Sequence, residues 1–284
     1  MAVQMDASAA GTIDVGGDLT VRRLGFGAMR ITGQGIWGPP PNREQAQAAL
    51  RRAVDLGVNF IDTADSYGPE VSETLIADTL QPYPDDLVIA TKGGLLRPGP
   101  GRWQPDGRPE HLRQACEGSL RRLKLDQIPL YQLHTPDSKV PYADSIGALA
   151  ELKDEGKIRH IGVSNVTESQ LRAAQRLTAV VSVQNRYNLA DRSSDPIVDL
   201  CDQEAIVFLP WAPIQDADRL APVLNAARHH GVSTRQIALA WLLTRSAQIL
   251  PIPGSGSPEH VADNVAAASI QLSSDEATAI LDLA

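Results

Sequence analysis

Four side chains of proton-handling type, Asp62, Tyr67, Lys92 and His134, stand at or just past the ends of short apolar runs: Asn59-Phe60-Ile61, Leu87-Val88-Ile89-Ala90-Thr91 and Ile128-Pro129-Leu130-Tyr131-Gln132-Leu133. Burying an unpaired charge costs several kcal/mol, so ionisable groups gathered at several strand ends point to one shared site. A tyrosine hydroxyl ordinarily titrates near pH ~10, and a cation beside it makes it a better acid. Lys92 is of the right type to be that cation, Asp62 to hold the ammonium in place, and His134 to hydrogen-bond a substrate oxygen or share the proton of Tyr67. Together they would make a proton donor for a carbonyl oxygen, or an acceptor for an alcohol proton. Each residue alone also has a plain structural explanation: a turn cap, rim packing, a snorkelling lysine, a satisfied core histidine. A second chemistry is open as well, with Lys92 as an imine-forming nucleophile.

The elements that must position these groups follow a regular order. Strand-like runs are read at Leu24 to Ala28, Asn59 to Asp62, Leu87 to Thr91, Ile128 to Leu133, His160 to Val163, Val180 to Gln184, Ile206 to Pro210 and Ile249 to Ile252. Helical patterns lie between them, at Arg43 to Leu56, Val71 to Leu80, Pro109 to Leu123, Ala143 to Glu155, Glu168 to Leu177 and Pro196 to Glu204. Asn42, and Pro109 with Glu110, suit helix starts; Gly57, Gly156 and Gly231 suit helix ends. Eight βα units predict an α/β fold closed as a (β/α)8 TIM barrel, preceded by a short β-hairpin between Thr12 and Thr20. An open doubly wound sheet would carry GxGxxG after its first strand, and Gly25-Phe26-Gly27-Ala28-Met29-Arg30 lacks the third glycine. Residues 1–11 are expected to be disordered and residues 12–284 to form a single catalytic barrel domain. The stretches Gly33 to Pro41 and Leu95 to Gly107 read as irregular loops over the active face. Trp37, Trp103 and Arg97 in these stretches, with Arg186 beyond the Val180 to Gln184 run, are candidate pocket walls.

A chain of 284 residues with net charge -8 and pI ≈ 5.2 argues against nucleic-acid or anionic-membrane partners and for a small-molecule substrate. The start shows no basic segment followed by an apolar core, and no run reaches spanning length, so a cytoplasmic location is expected. Cys116 and Cys201 stand apart from any metal spacing and read as helix packing residues.

The runs NFIDTADSYG (Asn59 to Gly68), ATKGG (Ala90 to Gly94), LYQLHTPD (Leu130 to Asp137), HIGVSN (His160 to Asn165), VQNRYN (Val183 to Asn188) and IPGSGSPEHVADN (Ile252 to Asn264) together resemble the aldo-keto reductase family over nearly the whole chain. The resemblance implies a barrel that binds a nicotinamide cofactor without a Rossmann fold. It implies that Asp62, Tyr67, Lys92 and His134 are the catalytic tetrad, with Tyr67 the general acid for reducing an aldehyde or reactive ketone. Ser164, Asn165 and Gln184 would hydrogen-bond the nicotinamide carboxamide, and Trp211 would stack on the ring. The turn Gly254-Ser255-Gly256-Ser257 before Pro258 would cradle phosphate, with His260 and Asn264 nearby. NADPH-dependent relatives often place a lysine and an arginine where this chain has Gly254 and His260, so NADPH is the expected cofactor and NADH the alternative. A monomer is the family-weighted expectation. A cofactor-sensing regulatory barrel subunit with vestigial activity is the alternative of a different class.

Overall fold

The computed structural model describes residues 6–281. Chain order gives β1 (Thr12–Val15), β2 (Leu19–Arg22), β3 (Phe26–Gly27), α1 (Arg43–Asp55), β4 (Phe60–Asp62), α2 (Val71–Leu80), β5 (Val88–Gly93), β6 (Leu95–Gly99), β7 (Arg102–Pro105), α3 (Pro109–Leu123), β8 (Ile128–Leu133) and α4 (Tyr142–Asp154). Then follow β9 (Ile158–Ser164), α5 (Glu168–Gln175), β10 (Val180–Gln184), α6 (Asp195–Glu204), β11 (Val207–Phe208), α7 (Ala221–His230), α8 (Thr234–Arg245), α9 (Pro258–Ala266) and α10 (Ser274–Leu281). Seven strands form one parallel sheet in the order β11-β10-β9-β8-β5-β4-β3. The expected eighth strand is present only as an extended stave. Ile249 bridges Phe208 on one side, and Gly25 and Gly27 donate to the carbonyls of Pro251 and Pro253 on the other. Both prolines lack the N–H a ladder needs, which is why the stave closes the (β/α)8 barrel without registering as a regular strand.

Several helices begin at side-chain caps. Asn42 Oδ1 accepts the N–H of Gln45 at the start of α1, and Thr167 and Ser233 each make a reciprocal capping box with Gln170 and Gln236. Their buried faces pack on the sheet's outer side in two clusters, one around Tyr131, Phe208 and Trp241, the other around Leu50, Ile61 and Ile76.

Inside the barrel, alternate strand residues point inward. Phe60, Val88, Leu130, Val207 and Leu250 fill the lower half, and Ile13, Val15 and Val21 of the β1–β2 hairpin plug it from below. Asp18, in the hairpin's turn, pairs with Arg159 and with His160 Nε2, both at 2.6 Å, fastening the plug to β9.

Two expectations are corrected. Residues 1–5 of the segment expected to be disordered lie outside the described residues, but Ala7–Ala10 form a 3-10 turn capped by Asp6. Ala7 is fully buried and donates its N–H to Leu56 O at 2.8 Å, a tie to the end of α1 that no local pattern announces. The stretch from Leu95 is an antiparallel hairpin, β6–β7, rather than irregular loop. Its strands pair only with each other, so they carry neither the apolar alternation nor the freedom from proline that marks a core strand.

Candidate active site

The polar groups take over where the inward alternation reaches the C-terminal ends of the strands. Asp62 follows Phe60 on β4, Lys92 follows Val88 and Ala90 on β5, and Gln132 follows Leu130 on β8. Strand register sets Asp62 opposite Ala90 and Lys92 opposite Gln132. Ala90 leaves room for the lysine stem. Lys92 Nζ donates to Asp62 Oδ2 at 2.6 Å and to Thr63 O at 2.8 Å, and is wholly buried. The second carboxylate oxygen of Asp62 accepts from Gln184 Nε2 at 2.8 Å and Gln132 Nε2 at 3.2 Å. Gly162 on β9 is small because a Cβ there would lie 2.1 Å from Ser182 Oγ and 2.8 Å from the Gln132 side chain.

Tyr67 lies on the loop after β4, with its ring centroid 5.2 Å from Lys92 Nζ. The His134 ring stands edge-on to it, centroids 5.8 Å apart and planes at 82°. Ser66 Oγ lies 3.3 Å from His134 Nδ1. All four expected catalytic residues therefore converge, each less than a tenth exposed.

Burial and the neighbouring charges move the pKa values of Tyr67, Lys92 and His134 in directions that suit proton donation. Burial raises the Tyr67 pKa, Lys92 pulls it back, Asp62 opposes, and the net lies above the ordinary phenol range. Burial alone depresses the Lys92 ammonium, but Asp62 and Tyr67 more than offset it, and its pKa ends raised. Burial, reinforced by the charges of Lys92 and Arg97, holds His134 well below the usual imidazole range. The set is a protonated phenol beside a charged lysine and a neutral histidine. That combination can give a proton to an oxygen and hydrogen-bond it without charging the imidazole. A wholly buried lysine whose ammonium is held by Asp62 and whose pKa is raised is a poor imine-forming nucleophile, so the imine chemistry left open above is disfavoured.

The expected cofactor residues fall along one rim. Ser164 ends β9 and Gln184 ends β10, both buried, while Asn165 takes a left-handed conformation (φ 57°) that asparagine tolerates. The Asn165 side chain donates to His134 O at 3.0 Å and accepts from Trp211 Nε1 at 3.0 Å, so it holds the half-buried indole in place. Gln184 spends its amide N–H on Asp62, leaving its carbonyl oxygen as the end available to a ligand. Farther along, Gly254 packs against β3 so tightly that a Cβ would meet Gly27 O at 2.3 Å, and no lysine fits there. Ser257 caps α9, taking the N–H of His260, and its hydroxyl also donates to Glu259. Ser255 Oγ accepts the N–H of Ser257 at 3.0 Å. Ser255, Gly256, Ser257 and exposed His260 line a cleft of ≈ 280 Å³, while Asn264 is buried one turn along α9.

Of the candidate walls, Trp103 approaches His134 with ring centroids 6.4 Å apart, and Trp37 flanks the same mouth, bridging Gly68. Arg97 is a brace: it lies 3.6 Å from the Trp103 ring centroid and donates to four backbone carbonyls, those of Gly35, Ile36, Ser66 and Arg102. Arg186 sits over Trp211 and pairs with Asp191, away from the tetrad. The candidate list omitted Gln132, Thr63 and Ser66. Gln132 was visible as the polar residue on the inward alternation of IPLYQL; the backbone oxygen of Thr63 carries no such signal.

A model of the aldo/keto reductase family matches residues 23–220 and 216–284. An uncharacterized oxidoreductase of Schizosaccharomyces pombe is 50% identical over 274 residues, spanning 95% of this chain and 89% of that protein. The pyridoxine 4-dehydrogenase of Escherichia coli is 40% identical, spanning 94% and 96%. The structure of an aldo-keto reductase from Klebsiella pneumoniae in complex with NADPH superposes with a TM-score of 0.81 at 28% identity, covering 96% of this chain and 94% of that one.

Proposed function

The chain belongs to the aldo/keto reductase family of NAD(P)H-dependent oxidoreductases, and from that premise we propose that it interconverts an aromatic aldehyde of the pyridoxal type and its alcohol, with NADPH as the cofactor and Tyr67 as the proton donor. The observation that carries the reading is the buried Lys92 ammonium, held by Asp62 and set against the Tyr67 ring. The residues fit a nicotinamide nucleotide. Trp211 offers a fixed aromatic face, Ser164 and Gln184 offer hydroxyl and carbonyl groups at the strand ends, and the 254–257 turn brings small residues to a cleft.

NADPH, when bound, supplies the hydride that the carbonyl carbon accepts. The carbonyl oxygen gains electron density as its double bond opens, and the Tyr67 hydroxyl gives it a proton to make the alcohol. Lys92 stabilises the phenolate left behind, and Asp62 keeps that charge in place through the step. Neutral His134 hydrogen-bonds the same oxygen and adds no competing acid. Trp103 beside His134, and Trp37 on the same Arg97 brace, give the mouth aromatic walls, which supports a flat, polar-edged aldehyde as the substrate.

The test is reduction of pyridoxal followed by NADPH absorbance, in wild type and Tyr67→Phe. The variant is expected to lose roughly 10²–10⁴ in kcat/KM while binding NADPH as the parent does. Most of the turnover surviving would remove Tyr67 as the acid, and a preference for aliphatic aldehydes would remove the substrate class.

A further inference from the structure

We propose that Arg30, which lies outside the phosphate turn, is the cation that selects the 2′-phosphate of NADPH; this rests on the nucleotide reading above. The turn itself supplies little positive charge, since it carries glycine at 254 and an exposed histidine at 260.

Arg30 fills that gap from a different strand. It lies in the 3-10 turn Ala28–Ile31 directly after β3, and β3 is the strand against which Gly254 packs. A Cβ on Gly254 would lie 3.6 Å from Arg30 Cγ, and one on Gly256 would lie 3.1 Å from Arg30 O. The arginine stem therefore runs through the space that a side chain at position 254 would enter. It lines the ≈ 280 Å³ cleft with Ser255, Gly256, Ser257 and His260, and it is exposed.

The rest of the cleft is built for an anion. Its wall holds Asn42 and Ser257, the caps of α1 and α9, so the positive ends of two packed helices converge on one volume. No acidic side chain lines it; Glu259 turns to the Ser257 hydroxyl at the lip. A phosphate monoester carries close to two charges near neutral pH, and an arginine fork can grip two of its oxygens. NADH presents only a ribose hydroxyl at that place, with no charge for Arg30 to meet.

The experiment compares wild type, Arg30→Ala and Arg30→Lys by fluorescence titration with NADPH and NADH at constant ionic strength, with 2′,5′-ADP and ADP as calorimetric probes. Arg30→Ala is expected to weaken NADPH and 2′,5′-ADP at least tenfold, roughly 1.4 kcal/mol, and to change NADH and ADP by less than about twofold. Arg30→Lys should recover part of the loss, and raised salt should shrink the gap between wild type and Arg30→Ala. Equal weakening of NADPH and NADH would mean that the cation serves the diphosphate common to both, which overturns the proposal. So would unchanged NADPH binding in a folded Arg30→Ala protein. Wild type that binds neither nucleotide would instead sink the cofactor reading on which the proposal rests.

Discussion

The two ends of the site are built on opposite terms. At the tetrad, Lys92 and Asp62 are buried and their charges are fixed by hydrogen bonds to Thr63, Gln132 and Gln184. At the phosphate cleft the charged groups are exposed, and the fixed parts are backbone, held by the packing of Gly254 on β3 and by helix caps. The difference follows from what each end does. Charge that develops during a reaction is stabilised best by groups already in place and shielded from water. A permanently charged phosphate needs only a cation within reach, and exposed Arg30 with the helix ends supplies positive charge at less cost in desolvation.

The largest way to break that contrast is Lys92→Met. It should abolish turnover and destabilise the fold by roughly 3–5 kcal/mol, because Asp62 would be left as an unpaired buried charge. Urea unfolding measures this, and adding Asp62→Asn should recover much of the stability with no activity. A loss under about 1 kcal/mol would show the tetrad to be less tightly specified than its hydrogen bonds indicate.

Next in size is Arg97→Met, which strips four carbonyls of their donor and loosens the mouth. KM for the aldehyde should rise about tenfold with NADPH affinity unchanged, a cost of roughly 1.4 kcal/mol felt at the substrate end alone. Steady-state kinetics separates the two; a matching loss of cofactor affinity would join the ends that the comparison holds apart.

Smaller still is the response of the phosphate end to His260→Ala. An exposed contact contributes up to about 1 kcal/mol, so NADPH affinity should change by no more than about fivefold.

The smallest effect expected is that of pH on reduction. Tyr67 must hold its proton, and its pKa is raised, so kcat should stay level from about pH 6 to 9 and fall only above about pH 10. The lowered pKa of His134 removes any inflection near the ordinary imidazole value. A step between about pH 6 and 7 would mean that His134 titrates during turnover.

How far this was legible in the sequence divides along the same line. The strands β4, β5, β8, β9 and β10 were visible because their ends coincide with polar residues and their interiors with apolar runs, and Val71–Leu80 and Pro109–Leu123 fell where apolar spacing and, for the second, Pro109 in the first turn placed them. The convergence of Asp62, Tyr67, Lys92 and His134 followed from their positions at or just beyond strand ends together with the family resemblance. Arg30 at the cleft did not: it is distant in sequence from the turn it faces, and only the packing of Gly27 on Gly254 brings them together. Nor did the β6–β7 hairpin or the brace role of Arg97, because the carbonyls that receive the guanidinium carry no side-chain signature.

Arg97 has a consequence for how such a site can change. Every hydrogen bond it makes ends on main-chain oxygen, in the segments around residues 35–36, 66 and 102. Side chains in those segments that neither hold a left-handed backbone, as Gly35 does, nor touch His134, as Ser66 does, can change while the tie remains, so substrate preference can drift by single loop substitutions while the catalytic groups beneath stay as they are. The brace makes the mouth evolvable in small steps, and it makes position 97 a place where a single replacement would release all three segments together.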